Sequence, residues 1–239
     1  QNQNIPWENL KAKKPYSLKA ISDKEKLLGR EVILDELIEN FQNDEMDSFI
    51  LFGQRRVGKT SIVKSLRNWF EKLIGTNIIM AYVDCTNVRD SDVTKSLSQL
   101  GKAICAALLT GSQKKAFNNY SAITALKQIN IPEFENSLTP LTTFLQELIN
   151  IIPNYKFIIA IDEFDELQYE VYKPGDISDT LFRNLRGLNN NFSNLGLILI
   201  GSEKMPKIYN WHGEQLNNWK NRAVDTFDRE RQYEAFKKL

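Results

Sequence analysis

Two clusters of residues carry the chemistry available to this chain. The first is Gly53-Gln54-Arg55-Arg56-Val57-Gly58-Lys59-Thr60-Ser61, which reads G-x-x-x-x-G-K-T followed by serine. An apolar run at residues 48–52 enters it and a helical pattern leaves it, the setting in which this spacing forms a phosphate-binding loop. Gly53 and Gly58 permit backbone angles that turn successive N–H groups around a triphosphate, and the following helix adds its positive end. Lys59 has the reach for β- and γ-phosphates, and the Thr60 hydroxyl is a suitable Mg²⁺ ligand. The bland alternative is a glycine turn with a chance lysine, and the flanking strand and helix argue against it. The second cluster is Asp162-Glu163, which closes the apolar run Lys156-Phe157-Ile158-Ile159-Ala160-Ile161. A run apolar on both faces fits a central strand of a parallel sheet. Carboxylates at its C-terminal end fall on the rim where such sheets bind ligands. Asp162 is suited to hold Mg²⁺ beside Thr60, directly or through water, and Glu163 to polarise an attacking water. Asp165 and Glu166 fit the plainer role of helix caps.

The elements that must position these groups are legible as alternating patterns. Residues up to about 22 are polar and basic, with Lys11, Lys13 and Lys14, and read as a linker or arm. Val32, Leu34, Leu37, Ile38 and Phe41 are spaced for an amphipathic helix before the first strand. Ile62, Val63, Leu66, Trp69, Phe70 and Leu73 mark the helix after the loop, with Gly75 as its stop. Residues 77–84 form a strand ending in Asp84, a candidate for the magnesium shell and equally for strand-end turn chemistry. Residues 93–109 read as helix, 111–137 as an irregular insertion with partial helix, and 141–152 as a helix stopped by Pro153. Residues 179–188 read as a helix displaying Arg183 and Arg186. Residues 195–201 form another buried strand ending at Ser202, which either senses a γ-phosphate or caps the next segment. Residues 223–227 read as a short edge strand, and Asp228 as the cap of a further helix. Strands alternating with helices specify an α/β parallel sheet.

Composition narrows the function classes. With 239 residues, 42% hydrophobic, the chain supports one large core or two small ones. Its 31 Lys and Arg balance 30 Asp and Glu, so no surface-wide field attracts nucleic acid, and only a local patch is left open. Cys85 and Cys105 stand in apolar contexts and read as buried free thiols in a reducing cytoplasm. The single histidine, His212, rules out a histidine-rich metal site and argues against a Ser–His or Cys–His catalytic pair. No apolar run approaches the ~20 residues of a membrane helix. The start Gln1-Asn2-Gln3-Asn4 has no signal-peptide pattern and no initiator Met, and reads as cut from something longer.

With both clusters placed, the chain resembles P-loop ATPases of the AAA+/STAND type within the ASCE division, a group that includes NOD-like receptors and bacterial antiphage defence proteins. Gly29-Arg30-Glu31, shortly before the first strand, is similar to the "GRE" element of that group. Residues 53–61 resemble its G-x-R-R-x-G-K-[ST]-S loop, shared with archaeal-type ATPases, and Asp162-Glu163-Phe164-Asp165 its D-E-x-D strand end. The resemblance covers residues 15–202. It implies a P-loop NTPase fold, a three-layer α/β/α sandwich on a mostly parallel sheet. It divides the chain into an arm (1–22), an ATPase domain (23–227) and the start of a truncated helical lid (228–239). It implies binding of ATP or ADP with Mg²⁺ by Gly29, Arg30 and the loop residues Gly53 to Ser61, with Leu28, Gly29 and Arg30 near the adenine or ribose. Thr60 and Asp162 would hold the metal, and Lys59, Glu163 and Ser202, the last as sensor 1, would act on the γ-phosphate. It further implies an ATP-dependent homo-oligomer in an intact parent, an arginine finger for which Arg183 and Arg186 are candidates, and sensor or effector domains outside residues 1–239. DNA-handling AAA+ ATPases of the origin-recognition or transposition-helper kind share these motifs and stand as the alternative.

Overall fold

Four apolar runs and one polar run line up in a single parallel sheet. In the computed structural model, which describes residues 20–73 and 76–226, they are β1 (Phe49–Phe52), β2 (Ile78–Asp84), β3 (Lys156–Asp162), β4 (Leu195–Gly201) and β5 (Lys220–Ala223). Their spatial order is β2-β3-β4-β1-β5. Every pairing is parallel, so the sheet among the described residues is wholly rather than mostly so. β3 and β4 are interior strands with helices on both faces, which is why their sequences lack the alternation of a half-exposed strand.

The helices are α1 (Glu31–Gln42), α2 (Lys59–Lys72), α3 (Val93–Lys115), α4 (Tyr120–Leu126), α5 (Pro140–Ile151), α6 (Asp176–Asn191), α7 (Met205–Trp211) and α8 (Gly213–Leu216). They form two layers, and the strands divide their side chains between them. Ile158, Ala160, Ile198 and Ile200 pack with Leu34, Leu37, Phe41, Ile62 and Leu66 of α1 and α2. Phe157, Ile159, Ile161, Leu197 and Leu199 face the other way, onto α3, α5 and α6. The result is the three-layer α/β/α sandwich that the resemblance implies, built on the parallel sheet that the strand pattern predicts.

Departures from the sequence reading lie where apolar periodicity is weak. The helix expected over 93–109 runs on to Lys115, and residues 111–137 contain α4, whose cap Asn119 accepts the N–H of Ala122 at 3.0 Å. The edge strand lies at Lys220–Ala223 rather than 223–227. Its bounds come from pairing with β1, with Lys220 N donating to Ser48 O at 2.8 Å and Val224 N to Phe52 O at 2.7 Å, while its own sequence is polar. Residues 205–216 carry no clear pattern yet form α7 and α8. At the start, Ile21 and Ser22 are pinned to α2. Ile21 N donates to Ser61 Oγ at 3.1 Å and Asn68 Nδ2 donates to Ser22 O at 2.7 Å. Arm residues 1–19, the stop at Gly75 and the lid at 228–239 lie outside the described residues.

Candidate active site

The loop between β1 and α2 owes its shape to close backbone approaches. Gly53 has φ 151°, and a Cβ there would collide with the carbonyl of Val224 beyond β5. Gly58, with φ 100°, is the N-cap of α2, and no side chain caps that helix. Its first-turn N–H groups therefore have no capping side chain, an arrangement suited to an anion. Arg56 also adopts a left-handed conformation, φ 67°. Lys59 is buried at 5% exposure, and its Nζ donates to the loop's own carbonyls, Gly53 O at 2.8 Å and Gln54 O at 2.7 Å. Burial lowers the Lys59 pKa, while Glu163, Asp162 and Asp165 oppose that shift. Thr60 stands half-buried in the first turn of α2. Beside the loop is a cavity of about 290 Å³ lined by Phe52, Gly53, Gln54, Glu203, Pro206 and Asp225, among others.

The acidic end of β3 is the hub to which neighbouring strand ends attach. Asp162 is 1% exposed; its Oδ1 accepts the N–H of Glu163 at 2.9 Å and its Oδ2 accepts the hydroxyl of Tyr82 on β2 at 2.7 Å. Glu163 is held at φ 49°, a left-handed conformation costly for a side chain of this type. Burial raises its pKa, and the neighbouring Asp162 adds to the rise. Asp165 is buried and accepts both the N–H of Ser202, at 2.9 Å, and the Ser202 hydroxyl. Glu166 binds Arg55 of the loop at 2.6 Å and lies 3.9 Å from Lys204. Among the described residues no group of three or more His, Cys, Asp or Glu side chains is placed to hold a metal ion. A magnesium ion that keeps its waters and phosphate oxygens needs no such cage, so the pair Thr60 and Asp162 remains a chemically suitable donor set.

The geometry sorts the residues singled out by sequence. Gly53, Gly58, Lys59 and Thr60 form the loop and helix start, and Gln54 and Val57 contribute loop carbonyls to Lys59 and Arg30. Gly29 makes the turn that delivers Arg30. Arg30 is buried, donating to Val57 O at 3.0 Å and to Asp225 O, so it staples the loop to the segment after β5. Ser61 turns away from the loop to accept Ile21 N. Arg183 donates to Asp179 O of its own helix at 3.0 Å, and Arg186 to Glu214 O at 3.0 Å, both on an exposed face. Asp84 closes its own turn, accepting Thr86 N at 2.9 Å and Thr86 Oγ1 at 2.6 Å. His212 is buried, stacked on Phe182 at 3.9 Å and bonded to Tyr172 O at 2.7 Å. Both thiols are buried; burial pushes Cys105 up to about 12 and Cys85 well above its ordinary value. Sequence reading passed over Tyr82. Its one signal is an aromatic with a polar tip near the end of an acid-terminated strand, and only the pairing of β2 with β3 gives that signal a target.

A model of the AAA domain family matches residues 43–209, from before β1 through most of α7. The chain belongs to the AAA domain family. It is an AAA+ P-loop ATPase by fold and motif. Among solved structures, this AAA domain is similar to the Aeropyrum pernix ORC2 protein in its ADPNP–ADP complexes, with TM-score 0.58, 12% identity, and 95% of this chain covering 55% of that one. It is similar to the Aeropyrum pernix ORC1 protein in complex with DNA, with TM-score 0.56, 14% identity, and 88% covering 49%. It also resembles Drosophila ORC bound to poly(dA/dT) DNA and Cdc6, with TM-score 0.52, 9% identity, and 87% covering 30%. The AAA domain thus spans about half the length of the two Aeropyrum proteins. No curated protein matches it. Among the described residues no helix of the domain is long and apolar enough to cross a membrane.

Proposed function

We propose that this domain binds ATP with Mg²⁺ and hydrolyses it as a nucleotide switch governing the assembly of protomers. The observation that supports this most is the gathering of Lys59, Asp162, Glu163, Asp165 and Ser202 at the C-terminal ends of β1, β3 and β4. In this reading the N–H groups of the loop and of α2 take phosphate oxygens. Lys59 exchanges the carbonyls of Gly53 and Gln54 for the β- and γ-phosphates. Thr60 and Asp162 hold Mg²⁺, which supplies neutralising charge to the phosphates. Glu163 accepts the proton of the attacking water, and burial moves its pKa toward the working pH, as suits a general base. Ser202 reports on the γ-phosphate through Asp165, since both of its polar groups are engaged there.

Tyr82 is the positioning residue for Asp162. Burial and then Asp162 raise its pKa far above the ordinary range, so it remains a hydroxyl donor at every working pH. Removing an outer-shell partner of a metal ligand costs about 10–100-fold in metal affinity or activity. Tyr82→Phe is therefore expected to raise the Mg²⁺ concentration for half-maximal phosphate release by about tenfold, with metal-free ADP affinity unchanged. Mg²⁺ titrations of both proteins check this. An equal loss of ADP affinity without metal would instead mark Tyr82 as a residue of the fold alone.

The switch reading draws on the STAND-type resemblance, including its signalling and antiviral-defence members. A second reading, DNA handling, is favoured by the similar structures, two of which are complexes with DNA. Light scattering with ADP and with a non-hydrolysable ATP analogue, beside phosphate release with and without duplex DNA, separates them. The switch predicts larger assemblies with the analogue and a rate indifferent to DNA. Turnover accelerated by DNA with no change in assembly would establish the second reading.

A further inference from the structure

Among the described residues one edge of the sheet is guarded and the other is not. β5 is four residues long and carries Lys220 and Arg222, the short charged form that discourages further pairing. β2, at the opposite edge, is seven residues long and has no charged residue or proline before Asp84. Lys156 N donates to Asn77 O, so strand alternation turns the N–H and C=O of Ile78, Met80 and Tyr82 away from β3. Among the described residues nothing hydrogen-bonds those groups.

A groove of about 610 Å³ runs along this edge between α2 and α3. Its floor includes Ile78, Met80 and Tyr82. α3 lies close against the strand, since a Cβ at Gly111 would sit 2.8 Å from Ile79 Cγ2. Phe117 at the rim is 70% exposed. On the α2 wall Arg67 and Glu71 neutralise one another at 2.8 Å. The α3 wall adds Lys114 and Lys115, so Glu71, the one acidic residue lining the groove, stands against three cations; Lys115 also rests on the carbonyls of Phe70 and Thr76.

We propose that the β2 edge takes an extended segment of a partner protein as a sixth strand, apolar on one face and acidic on the face toward Lys114 and Lys115. Main-chain bonds to Ile78, Met80 and Tyr82 supply the affinity of such strand addition, and the lysines its preference. A second copy of the chain paired through β2 is the wrong occupant, because it would bring the Lys114 and Lys115 of its own α3 toward these. The docked strand would abut Tyr82, whose hydroxyl holds Asp162.

The probe is a fluorescein-labelled peptide of alternating valine and glutamate, followed by anisotropy beside its valine–lysine counterpart. The glutamate peptide is expected to bind at least about tenfold tighter, and Lys114→Glu, at an exposed position, to remove most of that preference. The amides of Met80 and Tyr82 should gain hydrogen-exchange protection when it binds. Met80→Pro deletes an outward N–H without touching the β3 ladder and should abolish binding while the circular dichroism stays native. Equal affinity for the two peptides, or unchanged exchange at Met80 and Tyr82 with the peptide bound, would overturn the proposal. So would a dimer of the chain that dissociates in Met80→Pro, which would assign the edge to a second copy.

Discussion

Lys59→Ala is expected to weaken ATP binding by about 100-fold or more. A hydrogen bond to a charged group contributes about 1.5–3 kcal/mol, and the Lys59 ammonium is suited to bridge two phosphates. The substitution has a second effect that geometry makes visible. Gly53 O and Gln54 O lose their shared donor, so the loop itself is loosened. Titration calorimetry of ATP and ADP against both proteins measures the loss. The ATP loss should exceed the ADP loss, because only the γ-phosphate distinguishes them. Unchanged ATP affinity in Lys59→Ala would remove the loop from the nucleotide site.

Glu163→Gln separates binding from chemistry. It keeps the size of the side chain and removes its basicity, so phosphate release should fall by ~10²-fold or more while ATP affinity is retained. The raised pKa of Glu163 adds a stability signature. Its carboxyl binds a proton more tightly in the folded chain than its ordinary value of 4.5 allows. Between that value and the folded one, the native state holds more proton than the unfolded state, and stability falls as pH rises through the window. The glutamine variant has no such loss. Its melting temperature should therefore match the parent protein in acid and exceed it at neutral pH. The same titration carries the acid limb of the rate profile to higher pH than an ordinary carboxylate would. Normal turnover in Glu163→Gln would pass the role of base to another carboxylate. A neutral-pH melting temperature below the parent's would contradict the electrostatic account of Glu163.

The two chemical clusters, four of the five strands and the main helices were legible because each rests on a local rule. The loop is a spacing of glycines, lysine and threonine, and β3 is an apolar run that stops at carboxylates. Both are properties of consecutive residues. What the sequence alone left open depends on pairs distant in the chain. Ser202 has a partner only because β4 lies beside β3, which brings Asp165 within reach. Tyr82 meets Asp162 across a strand register that no local pattern encodes. Ser61, the loop's final serine, is claimed by Ile21, forty residues away, and Arg30 is drawn to carbonyls at Val57 and Asp225. β5 is polar, and only its hydrogen bonds to β1 make it a strand. Local propensity and hydrophobic period determined which segments fold and where the reactive groups sit along them. The satisfaction of buried polar groups by remote partners, a tertiary event, decided which of those groups remain turned toward a ligand.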